Sequence, residues 1–162
     1  MKSFLELLKD KVLVFDGATG STLQTYGLTS DDFGGKELEG CNEYLCISKP
    51  EVVSKLHRYF LEAGADVIET NSFGSASIVL NEYNIANLDY ELSLKAAQLA
   101  KAAAQEFSTS IKPRFVAGSI GPTTKLPSLG HITFDEMEES FYRQMSGLFD
   151  GGVDIFCIET CQ

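Results

Sequence analysis

Glu159 ends an apolar run, Ile155-Phe156-Cys157-Ile158, and Asp16 ends another, Val12-Leu13-Val14-Phe15. An acid at the inner end of a buried strand is costly unless a cation meets it, and an amino-acid ammonium is such a partner. A salt bridge to a neighbouring lysine or arginine is the structural alternative for Glu159. Asp16 opens the loop Asp16-Gly17-Ala18-Thr19-Gly20, where two glycines let backbone approach a ligand closely. That loop suits a small-molecule site, a phosphate cradle or a plain tight turn capped by the acid. The phosphate reading lacks both the Gly-Lys-Ser/Thr ending of a P-loop and the third glycine of a dinucleotide fingerprint. Asn71-Ser72-Phe73-Gly74-Ser75 offers short polar groups that can bond a ligand or cap the next helix, with Ser75 the cap candidate.

The sulfur donors are Cys41, Cys46, Cys157 and Cys161. Their spacings differ from the two-residue spacing of zinc knuckles, and a cytosolic chain keeps them reduced. They read as small buried or half-buried thiols. His57 falls inside a helical apolar pattern and reads as a packing or surface histidine.

Positioning the two acids requires strands. Apolar runs near residues 12–16, 66–71, 115–119 and 153–159 each end in polar residues or glycine. Helical patterns fill the gaps. Pro50 with Glu51 starts one helix, which Gly64 closes. Residues 90–107 form an alanine-rich helix, and Thr133 with Glu136 reads as a capping box for a helix reaching about residue 150. Residues 1–10 suggest a short amphipathic helix, and residues 21–45 are the least regular. The run at 12–15 is continuous, as in a sheet covered on both faces. Strand–helix repeats of this kind predict an α/β fold of parallel βα units in sequential order. Chemistry in such folds collects at the strand ends.

Each unit is roughly 45 residues, whereas a closed eight-unit barrel needs about 250. The chain, 1–162, is therefore expected to be a single domain holding the first four strands of a TIM-type (βα)8 barrel, truncated. A complete four-strand open sheet is the alternative. The net charge of −10 argues against a phosphate-tracking nucleic-acid binder. No run approaches the roughly 18 apolar residues of a membrane span. The N-terminus lacks the continuous apolar core and cleavage site of a signal peptide, so a cytoplasmic location is the default.

Several stretches, taken together and in order, resemble the homocysteine S-methyltransferase family. They are Phe15-Asp16-Gly17-Ala18-Thr19-Gly20, Gly40-Cys41-Asn42-Glu43, Gly64-Ala65-Asp66-Val67-Ile68-Glu69-Thr70-Asn71-Ser72-Phe73-Gly74, Val116-Ala117-Gly118-Ser119-Ile120-Gly121-Pro122, and Gly151-Gly152-Val153-Asp154 through Glu159-Thr160. Within the family they look most like the N-terminal homocysteine-binding module of the cobalamin-dependent methionine synthases, over the first half of its barrel. The resemblance implies methyl transfer to homocysteine sulfur giving methionine, from methylcobalamin recharged by 5-methyltetrahydrofolate. It implies zinc, held by three cysteine thiolates on later strands, that deprotonates the homocysteine thiol. Cys157 and Cys161 do not match those ligands, so this chain is expected to hold neither zinc nor cobalamin alone and to be inactive by itself. The resemblance places Asp16 and Glu159 at the homocysteine ammonium. Backbone at Gly17, Ala18 and Ser119, with Asn71 and Phe73 beside it, would shape the pocket.

Implied partners are homocysteine and the cobalamin and folate modules of a larger enzyme. Half a barrel would also leave open strand edges that invite self-association. Relatives that use betaine or S-methylmethionine share the barrel, so the methyl donor stays open. Other readings are a non-catalytic small-molecule-binding α/β domain and a parallel-barrel enzyme for a phosphorylated substrate.

Overall fold

A computed structural model describes residues 3–160. The short helix α1, Phe4–Leu8, is opened by a capping box in which the Glu6 carboxylate accepts from Ser3 N at 2.7 Å. Helix α2 is Thr19–Gln24 and α3 is Leu45–Ser48. Helix α4, Pro50–Ala63, starts at its proline and ends at Gly64, whose φ of 112° lies where glycine is favoured. Strand β1, Val67–Glu69, leads to α5, Ser77–Leu80, and α6, Asp89–Phe107. Strand β2 is Phe115–Ile120, α7 is Phe134–Asp150 and β3 is Ile155–Ile158. The strands are parallel in the order β1-β2-β3. That is the sequential arrangement the strand–helix repeat predicts. The capping box of α7 forms as well, with Glu136 N donating to Thr133 Oγ1 at 3.2 Å.

The first of the four expected strands is reduced to one bridge, Phe15 with Val67. Its backbone still runs beside β1, for Asp16 N donates to Val67 O at 2.9 Å and Asp66 N donates to Val14 O at 2.7 Å. Val14 N, however, donates to Asp66 Oδ2 at 3.1 Å, while Lys11 holds the other Asp66 oxygen at 3.0 Å. A side chain thus occupies a ladder position and cuts the strand short. The run is not covered on both faces either: Leu13 is buried, but Val12 is 84% and Val14 57% exposed. Ser75 is not a helix cap. Ala76 holds the N-cap position of α5, and the Ser75 hydroxyl donates to Ser72 O at 2.9 Å.

Period-two alternation divides the sheet. One face carries Ile68 and Val116 against Leu61, Ala100, Ala103 and Ala104 of the helices, and Ile120 against Ala97 and Leu148. The other carries Val67, Phe115 and Ala117, closed from below by Leu13, Phe4 and Leu7. The Phe4 and Phe115 rings meet edge to face at 5.6 Å. Farther along this second face come Glu69, Ser119 and Cys157, with Glu159 just past the end of β3. Helices α6 and α7 nearly touch: a Cβ on Gly147 would strike Tyr90 O, and one on Gly151 would strike Ala97. His57 is fully buried on α4, and neither ring nitrogen has a hydrogen-bond partner among the described residues. Burial lowers its pKa to about 4, so it packs as a neutral ring. Among the described residues, no helix is long and apolar enough to cross a membrane.

Candidate functional site

A cleft of about 440 Å³ opens at the strand ends, lined by Asp16, Gly17, Ala18, Asn71, Phe73, Ser119 and Glu159. The fold therefore gathers into one place every residue that the family resemblance puts at the pocket. Six further residues line it: Thr19, Gly20, Asn42, Glu43, Glu69 and Thr70. A signal for Glu69 was available, because Ile68-Glu69-Thr70 repeats as Ile158-Glu159-Thr160. Among the described residues, the lining includes four acids and no lysine or arginine. A second hollow, of about 500 Å³, lies beside α7 among Ile120, Leu126, Phe134, Phe141, Met145 and Ile158. It is larger and mostly apolar, whereas acids converge on the first cleft.

Asp16 Oδ2 accepts from Glu69 N at 3.0 Å, while Oδ1 is buried with no partner among the described residues. Burial raises the Asp16 pKa to about 7, and the charges of Glu69 and Glu159 add to the rise. Burial, then the charge of Glu159, raises Glu69 as well. Glu159 Oε1 accepts the Ser119 hydroxyl at 2.6 Å. Ligand atoms of Glu69, Cys157 and Glu159 lie within 4.8 Å of one another. Burial and the neighbouring Glu69 push the Cys157 thiol up to about 11, so it contributes no charge near neutrality.

The loop after β1 is braced from below. Asn71 Nδ2 donates to Asn42 O at 2.7 Å, and Gly74 N donates to Glu43 Oε1 at 2.8 Å. The Glu43 carboxyl is enclosed deeply enough that desolvation raises its pKa, although the residue as a whole is only half-buried. Phe73 is 43% exposed at the mouth. Its carbonyl accepts from Gly121 N at 3.1 Å, so the loop is tied to the end of β2.

The described cysteines do not suit a three-thiolate metal site. Burial pushes the Cys41 and Cys46 thiols up to about 12. Cys46 is turned to Asn71 O at 3.7 Å, and neither groups with Cys157. Cys161 lies outside the described residues. A cluster of two carboxylates with one neutral thiol is better suited to a hard or nitrogenous cation than to thiolate-bound zinc.

Compared with protein families, residues 13–162 match Homocysteine S-methyltransferase. The chain belongs to that family. It is 44% identical over 158 residues to the methionine synthase of Mycobacterium tuberculosis, and equally to that of Mycobacterium leprae. Each alignment covers 98% of this chain but 13% of the relative, so the chain spans a small part of the length of the relatives it matches. Among solved structures, it superposes on the metallated homocysteine methyltransferase MmuM of Escherichia coli with a TM-score of 0.76 at 21% identity. That match covers 96% of this chain and 56% of the other. The oxidized form of the same enzyme gives 0.73, covering 94% and 55%. The parallel βα units are thus part of the fold of a homocysteine methyltransferase, here as an open sheet.

Proposed function

We propose that the cleft binds homocysteine by its ammonium group and that the chain serves methyl transfer to the homocysteine sulfur, giving methionine. The carrying observation is the convergence of Asp16, Glu69 and Glu159 around one space, with a buried Asp16 oxygen left without a partner among the described residues. An ammonium brings one positive charge and N–H donors to acceptors that burial has stripped of water. Asp16, poised near pH 7, ionises as the cation arrives and can take one of those donors. Gly17 and Ala18 bring backbone against the amino-acid end, while Asn71 holds the loop that carries Phe73 over the mouth.

Methylcobalamin, recharged from 5-methyltetrahydrofolate, is the donor this reading favours, and its support is the likeness to methionine synthases. Zinc would supply the deprotonated homocysteine sulfur when bound, but the thiols described here do not form its ligand set. Cobalamin and folate modules are then the partners, in a cytoplasmic enzyme, and the amino-acid end of the site is what this chain contributes.

The test is homocysteine titration by calorimetry of the full-length protein and of Glu159→Gln, with metal analysis alongside. A charge-assisted hydrogen bond contributes roughly 1.5–3 kcal/mol, so affinity is expected to fall on the order of ten- to a hundredfold. Metal content should stay constant. Unchanged affinity would make the acid structural. Methylcobalamin against betaine and S-methylmethionine in a turnover assay identifies the donor.

A further inference from the structure

Strand β1 ends in an unusual way. Thr70 N makes the expected ladder bond to Ala117 O at 2.9 Å. In a regular parallel ladder, Ser119 N would next donate to Thr70 O. That carbonyl is instead taken locally by Ser72 N at 2.9 Å. The Thr70 hydroxyl fills the missing rung, accepting from Ser119 N at 3.0 Å.

Proton counting orients the rest. The Ser72 hydroxyl donates to Ser119 O at 2.7 Å, because a carbonyl can only accept. Its one proton is then used, so in the 2.6 Å contact between the two hydroxyls Thr70 is the donor. The result is a closed ring in which Thr70 and Ser72 hold both backbone polar groups of Ser119. All three residues are buried, at 2%, 0% and 3% exposure. The Ser119 hydroxyl stays outside the ring and goes to Glu159 Oε1. Gln144 of α7 locks the outer side, donating to Ser72 O at 2.8 Å.

We propose that Thr70 and Ser72 are positioning residues that act through Ser119 to aim the Glu159 carboxylate at the substrate ammonium. The claim rests on the homocysteine reading above. Thr70 lines the cleft and Ser72 does not, but both hydroxyls are spent on one another and on the Ser119 backbone. They fix the backbone from which the Ser119 hydroxyl reaches across β2 to β3, in a buried setting where hydrogen bonds reinforce one another.

The readout is the preference of the full-length protein for homocysteine over desamino-homocysteine, measured as a ratio of dissociation constants. Thr70→Val keeps the shape and removes the hydroxyl. The ratio is expected to fall roughly three- to tenfold, the worth of one hydrogen bond, and Thr70→Ser should restore it. Ser72→Ala, which removes the proton given to Ser119 O, is the second variant and should lower the ratio similarly. An unchanged ratio in either folded variant, or an equal loss of affinity for both ligands, overturns the positioning role. Glu159→Gln separates this failure from the larger one. If it keeps the wild-type ratio, the ammonium reading falls; if it alone loses the ratio, only the ring is wrong.

Discussion

The amide nitrogen of Glu69 donates to Oδ2 of Asp16 at 3.0 Å, so the acid that ends the first apolar run is tied to the last residue of β1. This bond favours the ionised form of Asp16, yet its pKa is raised to about 7, because desolvation outweighs it. The native state therefore holds a proton on Asp16 that the unfolded chain, with an ordinary carboxyl pKa near 3.8, has already released.

The sign of the pH effect follows from linkage. Between about pH 4 and 7 the native state binds more protons at this site, so Asp16 lowers stability as pH rises. Asp16→Asn removes the titration. Thermal melts of mutant and parent should diverge in the mutant's favour across that window and run parallel above it. Parallel curves throughout would show that Asp16 is not desolvated.

Gly121 and Gly20 should respond oppositely to alanine. At Gly121 a Cβ would lie 2.7 Å from Phe73 O and 2.8 Å from its ring. Overpacking of this kind costs about 1–3 kcal/mol, and the Phe73 loop must move. At Gly20, inside α2, the nearest atom is Asn42 Nδ2 at 3.9 Å. Alanine there is expected to be neutral or to stabilise by up to about 1 kcal/mol through helix propensity. Denaturant midpoints of the two variants check this.

Arg143 grips the fully buried Asp89 with two bonds, at 2.7 and 2.8 Å. Arg143→Ala leaves that carboxylate inside without its cation and should cost about 1.5–3 kcal/mol. Arg58 makes the same two-bond geometry with Glu106 at 2.8 and 2.7 Å, but both side chains are about half exposed. Arg58→Ala should leave the melting temperature within error. Equal losses in the two variants would contradict the burial argument.

Self-association is expected of the 162-residue chain. Ile158 is 65% and Phe156 37% exposed on β3, an edge strand with unpaired backbone, and Val12 and Val14 are exposed at the opposite edge. Sedimentation should show dimers or larger species. Ile158→Lys should shift them toward monomer, since charge on an edge discourages pairing. A monomer across a wide concentration range would refute this.

The order of elements is readable because proline, glycine and capping residues mark α4 and α7 plainly, and because apolar runs that end in polar residues or glycine mark the strands. The place of Asp16 and Glu159 followed from the same pattern. The shortness of strand 12–16 is not legible, because Asp66, distant in sequence, uses its side chain in place of a backbone rung. Glu43 was unreadable as a cleft residue, since it is brought there by the loop it braces through Gly74. Glu69 is marked in the sequence only by neighbours that echo those of Glu159. The Thr70–Ser72–Ser119 ring depends on the direction of single protons, which no residue pattern announces.

His57 gives the molecule a second, opposite response to acid. A buried ring that titrates near 4, against an ordinary value of 6.5, lowers stability as pH falls through that interval. Asp16 does the reverse over nearly the same interval. One group carries a proton that unfolding would release, and the other refuses a proton that unfolding would accept. Their effects offset, so from these two groups the intact chain exchanges little net acid with the buffer when it unfolds. Replacing His57 with leucine would leave the Asp16 contribution uncompensated: relative to the parent, the variant should fare better as the medium is acidified from neutrality, and its unfolding should release more protons than the parent's, a difference that a weakly buffered pH indicator could register directly.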